Sequence, residues 1–209
     1  WMGRALVTAY TATGNGEYLA SALQVAKHIL GKLRADDGSF VSSTMRASQS
    51  PEYVPAVRSW DDAPVRSPSS VAACMLMDLS VLTGNLEFNE AGQRALESFA
   101  GGVDPNWGLF LGGYAMALDR LLEGPRTIWI VAPREDGATL ELERAADRAF
   151  VPNVITMVLN TSAPTQKEIA LRVAQKARDN PVAYICRRGG CLTPAHDADE
   201  LRSRLKDLR

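Results

Sequence analysis

The triplet Thr-Gly-Asn occurs twice in this chain, at residues 13–15 and again at 83–85, both times inside stretches of helical patterning. In both copies a Glu stands three positions after the Gly and an aromatic residue follows it, as Glu17-Tyr18 and Glu87-Phe88. Gly enters the left-handed backbone region at low cost, so each triplet predicts the end of one helix just before the start of the next. The apolar spacing agrees. Leu19, Leu23, Ala26, Leu30 and Leu33 form one stripe of a long amphipathic helix, and Phe88, Ala95 and Phe99 a second. Phe110, Tyr114, Ala117, Leu118 and Leu121 form a third. A chain that repeats a helical hairpin in this way is expected to build a solenoid or a closed α/α toroid.

A different pattern begins after Gly124-Pro125. The β-branched runs "RTIWIVAP", "NVITMVLN" and "PVAYIC" read as strands. Helical stretches separate them, at 138–150 with Leu142, Ala145, Ala146 and Ala149, and at 165–178 with Ile169 and Val173. A last helix is predicted around Leu201, Leu205 and Leu208. Alternating strands and helices favour βαβ units. The expected architecture is therefore mainly α: helical hairpins over 1–124, part of an α/α toroid, then a small α/β unit over 125–209 with a three-stranded, mostly parallel sheet. Between the two Thr-Gly-Asn copies runs a long Ser-, Pro- and Asp-rich connection, 35–68, containing "DDGSF" and "SWDDAPVRSPSS". Loops of this length in compact domains are often functional, and in a toroid they line the mouth of the central cavity.

Charge and cysteine usage narrow the partners. Hydrophobic residues make up 46% of the 209, charged residues 22%, and the formal net charge is −1. This is the composition of a globular chain with a real core, and it gives no electrostatic reason to expect nucleic acid or an anionic membrane. No apolar run approaches the roughly 20 residues that span a bilayer, so a soluble chain of the cytoplasm or of an organelle lumen is expected. Three cysteines are too few, and too odd a number, for a secreted disulfide scaffold. The chain opens Trp1-Met2-Gly3 directly in helical pattern, which predicts a longer parent protein.

The order of these segments resembles the C-terminal part of the thioredoxin-domain-containing proteins related to spermatogenesis-associated protein 20. It runs from "TGNGEYL" and "DDGSF" through "SVAACMLMDLSVLTGN", "MALDRLLEGPRTIWIVAP" and "FVPNVITMVLN" to "AYICRRGGCLTPAHDADEL". The resemblance implies a toroid similar to those of N-acylglucosamine epimerases and six-hairpin glycosidases, preceded by a thioredoxin-like domain. Only some of the hairpins are represented, so the inner apolar face is expected to be completed by another protein chain or by the missing N-terminal half of the same protein. One segment departs from the family. Where members resemble Pro-Ser-Gly-Asn-Ser-Val-Ala-Ala, this chain has Arg66-Ser67-Pro68-Ser69-Ser70-Val71-Ala72-Ala73, which makes Ser69 and Ser70 candidate ligand-loop residues of altered chemistry.

Two constellations carry possible chemistry. Asp36-Asp37 and Asp61-Asp62 are paired acids in the long connection, with Trp60 beside the second pair. Sugar-processing toroids use paired carboxylates near an aromatic platform, while adjacent Asp residues before Gly or Pro also serve as turn formers. Cys186 and Cys191 flank Arg187-Arg188-Gly189-Gly190, a spacing compatible with packed thiols, a disulfide or a redox pair. A metal reading needs His196 with Asp197 or Asp199 as further ligands. With His28 the only other histidine, acid–base chemistry of the epimerase kind has little to draw on. "REDGAT" after the first strand has one Gly and no dinucleotide loop, although Thr139 at the next helix start is a possible anion contact. No cofactor and no metal are expected. The leading expectation is a non-catalytic structural or interaction subunit, with a carbohydrate-active enzyme or a thiol-redox protein as the alternatives.

Overall fold

The computed structural model describes residues 1–41, 60–62, 64–133, 136–174, 180–187 and 190–206. They fall into two compact units. One comprises Trp1–Val7 and Glu17–Leu122, the other Thr8–Gly16 and Glu123–Arg209.

The first unit is helical. Its elements are the start of α1 (Met2–Thr13), α2 (Gly16–His28), a π-helical turn (Ile29–Leu33), α3 (Pro68–Thr83), α4 (Leu86–Ala100), a 3-10 segment (Pro105–Leu111) and α5 (Gly112–Glu123). Helix α3 is the core. It is apolar nearly all round, and Met75, Leu76, Leu79 and Leu82 are almost wholly removed from water. It starts where local chemistry says it must: the Ser67 hydroxyl accepts the Ser70 N–H, and Pro68 takes the first helical position, where its missing N–H does no harm. Helix α4 approaches α3 closely because residue 92 is glycine. A Cβ there would sit 3.0 Å from the Ala73 carbonyl oxygen and 3.1 Å from Met77 Cγ.

The two Thr-Gly-Asn triplets do end helices, and they do so with matching hydrogen bonds. Gly14 and Gly84 have φ of 67° and 77°. Their N–H groups donate to Tyr10 O at 2.7 Å and Ser80 O at 2.8 Å. The Thr13 hydroxyl donates to Ala9 O at 2.7 Å and the Thr83 hydroxyl to Leu79 O at 2.6 Å. The same hydroxyls accept the N–H of Asn15 at 3.3 Å and of Asn85 at 3.2 Å.

Two stripes differ from their sequence reading. The α-helix at 16–28 does not continue to Leu33, because the backbone widens into the π-helical turn after His28. Phe110 does not lie on α5. Gly108, at φ 48° and ψ −114°, kinks the 3-10 segment before α5 begins at Gly112, and Phe110 is left exposed.

The second unit is a small mixed sheet with helices α6 (Gly137–Asp147), α7 (Pro164–Ala174) and α8 (Ala198–Lys206). The strands are β1 (Arg126–Ala132), β2 (Val154–Asn160), β3 (Val182–Arg187) and β4 (Gly190–Cys191), in the order β2-β1-β3-β4. β1 pairs with β2 in parallel, Ile128 facing Thr156, and with β3 antiparallel, Ile128 facing Ile185. This corrects the expectation of a three-stranded, mostly parallel sheet. Strand–helix alternation says that helices cover the sheet, but it leaves strand direction open. β3 enters on the far side of β1 from β2 and runs against it, and the two-residue β4 is too short to leave a periodic signal. The core lies between sheet and helices, with Ile128, Ile130, Leu142, Ile185, Leu201 and Leu205 buried together. Gln166 ties the unit's segments: its Oε1 accepts Asn160 N–H at 2.7 Å and its Nε2 donates to Gly14 O at 3.0 Å.

Candidate functional site

The acids of the long connection are built into turns. Asp37 Oδ1 accepts from the N–H of Ser39 at 3.0 Å and from its hydroxyl at 2.7 Å. Gly38, at φ 87°, donates to Ala35 O at 3.0 Å, so Asp36 and Asp37 occupy the tip of a tight reversal between Arg34 and Phe40. Residues 42–59 and Ala63, which separate the two acid pairs, lie outside the described residues. Asp62 is a clamp. Its Oδ1 accepts Ser67 N–H at 2.8 Å, its Oδ2 accepts Gly113 N–H at 2.5 Å, and its own N–H donates to Phe110 O at 2.6 Å. The carboxylate thereby joins the start of α3 to the start of α5. A Cβ at residue 113 would lie 2.6 Å from Asp62 Oδ1, so the clamp requires glycine there. Asp61, next to it, is exposed.

Trp60 is no open platform. It is buried, stacked on Phe99 with centroids 5.5 Å apart and edge-on to Tyr114 at 5.4 Å. Phe99 and Tyr114 close the triangle at 5.3 Å, and the Tyr114 hydroxyl donates to Leu96 O at 3.1 Å. Burial pushes the Tyr114 phenol above its ordinary range. Of the two ligand-loop serines, Ser70 is engaged in the helix cap, where the Ser67 hydroxyl donates to its Oγ at 2.6 Å. Ser69 turns instead into a cavity of about 260 Å³ beside the start of α3.

No protein-family model matches this chain, and a search of curated proteins finds no match. The site is therefore characterised by its own chemistry.

In the first unit the strongest electrostatic feature is one the sequence reading passed over. Asp78, the single charged residue of α3, is completely buried and forms ion pairs with Arg120 of α5, itself buried, and with Arg4 of α1. Burial first, and then the nearby Arg120, lowers the Arg4 pKa. Cys74 lies one turn before Asp78 on α3. Burial pushes its thiol up, outweighing the opposite pull of Arg120, Arg4 and Arg66, which favours the protonated thiol over the thiolate. The signal available in sequence was an acid inside the apolar run "VAACMLMDLSVL", a position where an isolated charge is costly unless paired.

In the second unit Cys186 and Cys191 face each other across the antiparallel β3–β4 pair and form a disulfide, with Cα atoms 3.9 Å apart. Leu192 N–H donates to Ile185 O at 2.8 Å beside them. Arg187 pairs with Glu123, while Arg188 and Gly189 lie outside the described residues. The metal reading meets a different geometry. Asp197 Oδ1 caps α8 by accepting from the N–H groups of Asp199 at 2.9 Å and Glu200 at 2.8 Å, and Glu200 accepts His196 N–H at 3.0 Å. Among the described residues no group of three or more His, Cys, Asp or Glu side chains is placed to hold a metal ion. Thr139, the possible anion contact, meets the chain's own anion: Asp136 accepts its N–H at 2.9 Å and its hydroxyl at 3.0 Å. No described helix is long and apolar enough to cross a membrane.

Proposed function

We propose that this chain is a structural or interaction module that acts by docking against another protein chain, within a larger protein of the thioredoxin-domain-containing kind its sequence resembles. The observation that carries this reading is apolar exposure on the helical unit. Leu109 is 95% exposed and Phe110 58%, and Leu86 and Leu122 also stand in solvent. Adjacent large apolar side chains standing in solvent, as Leu109 and Phe110 do, support a contact surface. In this reading the helical hairpins belong to an α/α toroid, and the partner, the N-terminal hairpins of the parent protein, covers the exposed side chains. The internal engagement of Asp62 and Trp60 supports docking over sugar chemistry.

The test is co-expression of this chain with the N-terminal hairpins of a parent protein of that family. A stable complex is expected, lost in the double variant Leu109→Asp/Phe110→Asp. Sugar turnover by the chain alone, abolished by Asp61→Asn or Asp62→Asn, would replace docking with a carbohydrate-active function.

One observation favours a second reading, thiol–disulfide exchange: the Cys186–Cys191 bond ends on an exposed residue, Cys191. In that role a dithiol reductant would deliver two electrons and two protons, breaking the S–S bond to give two thiols while its own sulfurs form a disulfide. Thiol counting before and after incubation with reduced thioredoxin separates this reading from docking.

A further inference from the structure

We propose that the helical unit holds a binding site for a small amphiphile, a medium-chain carboxylic acid, in the cavity beside the N-terminus of α3. The walls are Val25 of α2, Ile29 and Leu33 of the π-helical turn, Phe40 after the Asp37 turn, and Val71 and Met75 of α3. No lining side chain is charged. The π-helical turn supplies two of these walls, and such turns within helices recur at functional sites. Gly3, also on the cavity lining, packs tightly against two of these walls: a Cβ there would lie 2.2 Å from Met75 Sδ and 3.0 Å from Val25 Cγ1.

The polar end of the site is Ser69. It lines the cavity and is only 4% exposed. Among the described residues nothing accepts from its hydroxyl or its N–H. The other early donors of α3 are in use. Ser70 N–H donates to Ser67 Oγ at 3.1 Å, Val71 N–H donates to Ser67 O at 3.1 Å, and Pro68 has none. A buried donor pair at the positive end of a helix, opening into an apolar chamber, matches a ligand with an anionic acceptor at one end and a hydrocarbon tail. At about 30 Å³ of liquid volume per water, a chamber of about 260 Å³ holds about nine heavy atoms, close to the size of octanoate. The proposal is independent of docking, because it concerns the interior of one helical unit.

Isothermal titration of the full chain with butanoate through dodecanoate tests it. Saturable one-to-one binding is expected, tightening about fourfold per CH₂ and levelling off near eight carbons. Octylamine, with the same tail and a cationic end, should bind at least tenfold more weakly than octanoate. Ser69→Ala should weaken octanoate about tenfold, as loss of a hydrogen bond to a charged group does, and Ala72→Phe, at another position on the cavity lining, should abolish binding by filling the chamber. Circular dichroism establishes that both variants are folded. A flat chain-length series overturns the proposal, and so does equal binding of octylamine and octanoate; neither needs a variant. Unchanged affinity in either folded variant overturns it as well.

Discussion

Asp78 is the residue on which the helical unit is most exposed to damage. Its carboxylate is a counter-charge to the buried Arg120, and it also holds Arg4. Removing one member of such a group leaves an uncompensated charge in a low-dielectric interior. Asp78→Ala is expected to lower unfolding free energy by about 3–5 kcal/mol, read as a shift of the urea midpoint. The double variant Asp78→Leu/Arg120→Leu should recover most of that loss, since an apolar pair carries no desolvation penalty. A single-variant loss below about 1 kcal/mol, the range of exposed ion pairs, would show that the cluster is solvated. At this scale the sequence was readable where a residue acts on its neighbours. The Asp37 turn is such a local event, an acid before Gly read as a turn former. Asp62 was singled out, but its task was not legible, because its second partner, Gly113, is 51 positions away.

Among the elements, the β3–β4 hairpin carries a bond whose contribution is bounded by its span. A disulfide joining residues five apart closes a short loop, for which the chain-entropy account gives about 2 kcal/mol. Cys186→Ser/Cys191→Ser should therefore reduce stability by no more than about that amount in guanidinium unfolding. The loss of backbone protection in hydrogen exchange should be confined to residues near β4. A global collapse of protection across β1 and β2 would contradict this, because those strands are held by their own parallel ladder. Helices and strands announced themselves through period and β-branching, which are properties of consecutive residues. Sheet order and direction did not, since both depend on where β3 returns after α7. The π-helical turn escaped for a related reason: Leu30 and Leu33 keep helical spacing in sequence while the backbone carrying them widens.

For the whole molecule, buried groups that ionise to anions set the alkaline limit. Burial raises Cys74, Tyr10 and Tyr114 above their ordinary values, so each keeps its proton to higher pH folded than unfolded. Between those two values the native state binds more protons, and stability falls as pH rises. The contribution is complete below the unfolded values, about 8.5 for Cys and about 10 for Tyr, and is lost as pH climbs through the folded ones. Melting temperature should hold steady around neutrality and fall from about pH 8.5 upward, with a shallower decline in Cys74→Ala. A decline equally steep in that variant would remove Cys74 from the account. The Thr-Gly-Asn joints bear on how such a chain comes to fold. One copy sits in each unit, and the bonds the two copies share reach back no further than four residues, Gln166 adding a distant contact only at the first. Local closures of this size form within microseconds, whereas synthesis adds only about 5–20 residues per second. A chain leaving the ribosome has what it needs to turn back at Gly14 long before the strands of its own unit exist.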